Sequence, residues 1–179
     1  MKIPEFFRFF GIAGGAIFWI FTGWSIYRNP WFDFFQNALS DLGDISANSP
    51  WIYNCGLIIT AIFMMLFSVY LLSLSGNKLQ TIGASYISVS AIFLALIGVF
   101  HSGTRPHTFI STYFFIQFFI GMLVFGLGSR RKIRNPVVLI FLLAVLGTFV
   151  PWPSAALVET YEIILIIIFT LLISFSKKV

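Results

Sequence analysis

Apolar residues run along this chain in six long stretches, each closed by a short polar segment. A helix rises about 1.5 Å per residue, so about 20 residues cross a hydrocarbon core of about 30 Å. On that measure the stretches predict spanning helices over about 7–27, 51–74, 81–100, 109–128, 136–152 and 158–175. The boundaries come from local chemistry. Ser49 can cap the second helix and Pro50 suits its first position. Ser75-Gly76-Asn77-Lys78 ends it in a turn, Pro136 opens the fifth helix, and Pro151 and Pro153 stop it. The first apolar run, from about Phe9 to Ile26, is longer than the core of a signal peptide, and Tyr27-Arg28-Asn29-Pro30 follows it in place of a small-residue cleavage site. It reads as a retained span.

The polar segments alternate in charge. Lys2, Arg8, Lys78, Arg130, Arg131, Lys132, Arg134, Lys177 and Lys178 flank one side of the implied membrane, and only Arg28 and Arg105 flank the other. Cytoplasmic loops carry the excess of Lys and Arg, so both termini are expected in the cytoplasm. Trp24, Tyr27, Trp31, Trp51, Tyr53, Tyr113, Trp152 and Tyr161 crowd the outer side, where amphipathic rings favour the headgroup level.

Composition agrees. Only 9% of residues are charged and 59% are hydrophobic, against about 25% charged in a soluble domain. So few charges cannot cover a water-facing surface. The expectation is one all-α domain over 1–179, a six-helix bundle integral to the cell membrane. The net charge of +5 belongs to short loops beside apolar spans, which reads as a topology signal and not as a nucleic-acid surface. Arg130-Arg-Lys-Ile-Arg134 could also meet anionic headgroups. Cys55 is alone, so it forms no intramolecular disulfide.

Most groups capable of chemistry fall on the outer face. The loop from Arg28 to Pro50 is rich in Phe and Leu, which suggests a segment lying in the interface or folded over the bundle mouth. Within it Ser40-Asp41-Leu42-Gly43 reads as a turn, with Asp bonding local amides and Gly supplying positive φ. His101 and His107 border the next outer loop, and His107 opens the fourth helix. The bland reading of His107 is a bond to a loop carbonyl, and the sharp one is a base or ligand. Glu159 and Glu162 are three apart at the start of the sixth helix and share a face. A carboxylate at headgroup depth needs a partner, and an ion pair between outer loops would supply one. HExxH, GxSxG and a Gly-rich phosphate loop are all missing from the sequence. Two on-paper constellations stay open. One is a metal held by His101, His107 and one of Asp41, Asp44, Glu159 or Glu162; the other is a Ser40, His107 and carboxylate triad. Metal and cofactor are otherwise unknown from the sequence.

Two segments carry a family resemblance. Ala38-Leu-Ser-Asp-Leu-Gly43 followed by Ser49-Pro-Trp-Ile-Tyr-Asn-Cys-Gly56, and His107-Thr-Phe-Ile-Ser-Thr-Tyr-Phe-Phe115, resemble the "domain of unknown function 998" membrane family. The layout is also similar to the wider FRAG/DRAM/SFK group of six-span proteins. The family's third span often ends Gly-x-Phe-Pro, and here Gly98-Val-Phe-His101 departs from it. The resemblance implies an association with lipid matters through the eukaryotic relatives and carries no catalytic residue. It groups Ser40, Asp41, Gly43 and His107 at one site.

The functional expectation is therefore an outward-facing polar site at headgroup depth that binds or remodels membrane lipid, with Ser40, Asp41, His107 and Glu162 as candidate catalytic residues. The alternative is a non-catalytic scaffold or lipid-organising protein whose polar cluster is structural. A transporter ranks last, because the span centres lack ionisable residues. The mid-span groups Thr60, Ser68, Ser85, Ser88, Ser90, Gln117 and Thr148 are expected to bond between helices.

Overall fold

The computed structural model of the protein describes residues 3–176; Lys2, Lys177 and Lys178 of the charge count lie outside them. Six helices follow in order: α1 Phe10–Arg28, α2 Trp51–Leu74, α3 Lys78–Val99, α4 His107–Leu127, α5 Arg131–Gly147 and α6 Ala155–Ser174. Short 3-10 turns at Glu5–Phe9 and Leu39–Gly43 complete the regular structure, and no strand occurs among the described residues. Each helix packs on its neighbour in sequence, and α6 returns to α1. The bundle is thus a closed ring. One end carries the Glu5–Phe9 turn and the end of α6, and the other carries the long loop between α1 and α2.

α1 (with the 3-10 turn before it), α2, α3, α4 and α6 are each long and apolar enough to cross a membrane. The chain is an integral membrane protein on that ground. α5 differs from expectation. It begins at Arg131 and ends at Gly147, about five residues earlier at each end than the sequence suggests. Pro136 lies inside it and does not open it. A proline there removes one bond, to the carbonyl of Lys132. That carbonyl sits among exposed Arg131, Lys132 and Arg134, where water can take the lost donor's place.

Glycine sets the helix spacing. A methyl group on Gly83 of α3 would meet the backbone of Phe125 and the carbonyl of Gly121, 2.5 Å away, and one on Gly121 would lie 2.9 Å from the Gly83 carbonyl. Small residues let backbones touch where lipid offers no hydrophobic driving force between helices. In the middle of the ring Phe67, Phe118 and Phe169 are fully buried. They meet edge to face, with ring centres 6.2 Å and 6.0 Å apart.

The expected hydrogen bonding between helices is realised at one pair, Ser88 Oγ to Ser68 Oγ at 2.9 Å. Ser85 and Ser90 turn back to carbonyls of their own helix, and Thr148 does the same at the end of α5. The start of α2 also departs from expectation. Ser49 has φ of 59° and does not cap the helix, and Pro50 occupies the cap position without a side-chain bond. Ser154 does cap α6, accepting from the Leu157 amide at 3.3 Å.

Candidate functional site

The long loop between α1 and α2 is built into the end of the bundle. Leu39 and Leu42 are fully buried and belong to the main core. Of the two placements the sequence left open, the loop is folded over the mouth. Hydrogen bonds hold it on several sides. The Asn29 side chain donates to Asn48 O at 3.1 Å and accepts from Asn48 N at 2.7 Å, closing the loop at its base. The Ala156 amide donates to Asn37 O at 2.9 Å, and the Ser154 hydroxyl donates to Phe34 O. Asn54 of α2 donates to Gly43 O at 2.9 Å.

Gly43 does not have the positive φ expected of it; Gly103 is the positive-φ glycine of the described residues, at +86°. The reason for glycine at 43 is proximity. A side chain there would collide with Asn54 and with the Tyr53 ring.

The candidate residues then separate. Asp41 accepts from the Ala38 amide at 2.8 Å and weakly from Ser102 Oγ at 3.5 Å. It braces its own turn and touches the loop that leads to α4. His107, the first residue of α4, is buried and pairs through Nδ1 with Phe100 O at 2.8 Å. A carbonyl only accepts, so Nδ1 carries the hydrogen. This is the bland reading of His107, with the ring closing the end of α3. No hydrogen bond joins Asp41 to His107 among the described residues. His101 Nδ1 lies 2.7 Å from the Ser102 carbonyl. No group of three His, Cys, Asp or Glu residues that could hold a metal occurs among the described residues.

The two glutamates also part. Glu159 Oε2 accepts from the Leu39 amide at 2.7 Å. Glu162 has no charged or hydrogen-bonding partner among the described residues. The expected ion pair between outer loops is thus replaced by a carboxylate-to-amide bond. A backbone donor does the work because the exposed Arg28 and Arg105 stay outside the bundle.

Ser40 and Glu159 both line one partly open cavity. Tyr53 borders the same mouth. It is buried, not a member of the interfacial ring belt, whereas Trp24, Tyr27, Trp31, Trp51 and Tyr113 are exposed as expected. Below the mouth the walls are apolar, from Leu57 and Met64 of α2 to Ile163 and Ile167 of α6. From Tyr53 to Met64 the helix rises about 16 Å, close to one leaflet's share of a core of about 30 Å. Phe67, Phe118 and Phe169 lie about one turn further along α2, α4 and α6 and pack on one another. Thr60 interrupts the apolar wall. It is only 5% exposed, and its hydroxyl has no hydrogen-bond partner.

Sequence reasoning singled out Ser40; it placed Tyr53 in the ring belt and Thr60 among the mid-span hydroxyls, and took Glu162 as a candidate where Glu159 is the glutamate that lines the cavity. The run from Ile163 to Phe169 is apolar on every face, so helical register offers no stripe against which to separate the two glutamates.

Residues 12–176 match the family model described as "Protein of unknown function (DUF998)". The chain belongs to this family. The match runs through all six helices, the long loop and every cavity-lining residue but Gly11. No curated protein and no solved structure matches the chain.

Proposed function

We propose that this DUF998 member is a lipid-binding protein of the cell membrane, whose cavity takes a lipid chain while Ser40 and Glu159 receive its polar end. The observation that carries the reading is an apolar, leaflet-deep cavity with a carboxylate and hydroxyls at its mouth. Binding sites for small molecules are of this kind, mostly apolar with a few converging polar groups. The same reading takes α5, together with the turns after Gly147, as a sixth crossing. Both termini then lie on the cytoplasmic side, as the basic residues favour, and the cavity mouth faces outward. The six-span layout is also that of the wider FRAG/DRAM/SFK group.

Binding is favoured over remodelling by the commitments of the other candidates. Asp41 bonds the Ala38 amide and His107 the Phe100 carbonyl, and no hydrogen bond joins Ser40 to a histidine or a carboxylate among the described residues, so the paired nucleophile and base of covalent catalysis is not assembled. Ser40, Asp41, His107 and Glu162 would otherwise act in lipid remodelling, with His107 as base. The scaffold reading has its own support in the many bonds that fasten the long loop.

The test is gentle extraction followed by mass analysis of what the intact protein retains. Wild type is expected to hold about one lipid, and Ile163→Trp, which fills the cavity, to lose most of it at an unchanged helix content. A wild-type protein that retains none would favour the scaffold.

A further inference from the structure

The polar atoms facing the cavity share one electrostatic character. Glu159 brings a carboxylate with one oxygen beyond its bond to the Leu39 amide. Ser40, Tyr53, Thr60 and Ser111 bring hydroxyls, and no Lys, Arg or His among the described residues lines the space. The basic residues at this end, Arg28 and Arg105, are solvent-exposed and outside the lining. Anionic headgroups are normally held by Arg, Lys or several amides. Here a phosphate or free carboxylate would enter a space that offers a carboxyl group and hydroxyls and no cation to receive its charge. A hydroxyl or amine would instead donate to that carboxyl group.

Thr60 adds an independent mark. A buried hydroxyl in a native protein nearly always has a partner; among the described residues those of Thr22, Ser25, Thr60 and Thr160 have none, and of these four Thr60 is the one that lines the cavity. It lies seven residues past Tyr53, about 10 Å deeper along α2. A pure hydrocarbon chain would leave it unpaired, whereas an ester or hydroxyl oxygen on the ligand would not.

Resting on the lipid-binding reading above, we propose that the cavity selects amphiphiles whose headgroup donates hydrogen bonds and carries no phosphate, with a further oxygen along the molecule for Thr60. Monoacylglycerol-like lipids have this chemistry. The head hydroxyls would donate to Glu159 and exchange bonds with Ser40, and the chain would fill the apolar walls.

The experiment offers monoolein, oleoyl lysophosphatidate and oleate at equal concentration to the full chain in phosphatidylcholine nanodiscs. Native mass spectrometry reads the bound species. Monoolein is expected to exceed each anion by about tenfold, the scale of one charge-assisted hydrogen bond gained or lost. Glu159→Gln keeps an acceptor for the Leu39 amide and should bring the monoolein-to-lysophosphatidate ratio towards one. Thr60→Val should weaken monoolein several-fold while the unliganded protein melts no lower than wild type. Equal or tighter binding of either anion overturns the selectivity and leaves lipid binding standing. Retention of a lipid from a total membrane extract, with none of the three probes bound, also overturns it. If neither the probes nor the extract yields a bound lipid, the lipid-binding reading falls as well.

Discussion

Asp44, two residues before Ser46 in the long loop, shows how a single side chain sets local stability. The Ser46 hydroxyl donates to it at 2.6 Å and the Ser46 amide at 2.8 Å. These bonds, with a smaller contribution from the charge of His101, hold its carboxyl below the usual carboxylate range despite a small opposing effect of burial. A depressed acid stabilises the fold at pH values above its unfolded pKa. That contribution is lost as pH falls through the folded value. Ser46→Ala should therefore move the Asp44 titration upward, towards the ordinary value, as carbon-detected NMR would read. An unmoved midpoint would refute the assignment. His107 offers a second residue-scale outcome. His107→Ala leaves the Phe100 carbonyl without its donor, and an unsatisfied buried group costs about 1–3 kcal/mol. The variant should melt lower yet retain lipid, because the ring bonds to the end of α3 and does not line the cavity. Loss of bound lipid from a well-folded variant would restore His107 to the binding site. The turn at Ser40-Asp41 was legible in sequence, because Asp41 bonds an amide three residues away. The partners of His107 and Glu159 were not, since Phe100 and Leu39 reach them only through the fold.

At the level of the helices, packing is decided by where a side chain is missing. Gly83 faces the backbone of α4, which cannot move aside as a flexible side chain would. Gly83→Ala should lower stability by about 1–3 kcal/mol, the usual cost of overpacking, measured by steric trapping or by thermal melting in a fixed detergent. Gly23, with nothing within 4 Å of an added methyl, is the matched control and should tolerate alanine. Equal effects at the two positions would contradict the close contact of α3 and α4. Helix existence and most boundaries followed from apolar run length alone, since α2 begins and ends where the sequence places it. α5 escaped that logic. Pro136 is a helix-start signal by local preference, but packing of Ile133 and Val137 into the core draws the preceding basic turn into the helix as well.

For the whole molecule, the ring order and the alternating charge lead to one topology, with the long loop and the basic segment before α5 on opposite sides. Cysteines at Ser46 and Lys132, both exposed, introduced singly with Cys55→Ser, should react with an impermeant thiol reagent from outside and inside respectively. Labelling of both from one side would contradict the three crossings by α2, α3 and α4 that separate the two positions. The sequence by itself determined the solvent and the helical class, because run length and charge scarcity are properties read along one dimension. It also marked the long loop as a structural element, since five Phe and Leu side chains cannot rest in water. Only the tertiary structure decided that this loop caps a cavity, that Glu159 and not Glu162 faces it, and that Thr60 waits there without a partner. Those facts depend on which faces of five helices converge around a common space. Two glutamates three residues apart differ in direction by about 60° around a helix axis, and only the packed ring determines which direction leads inward.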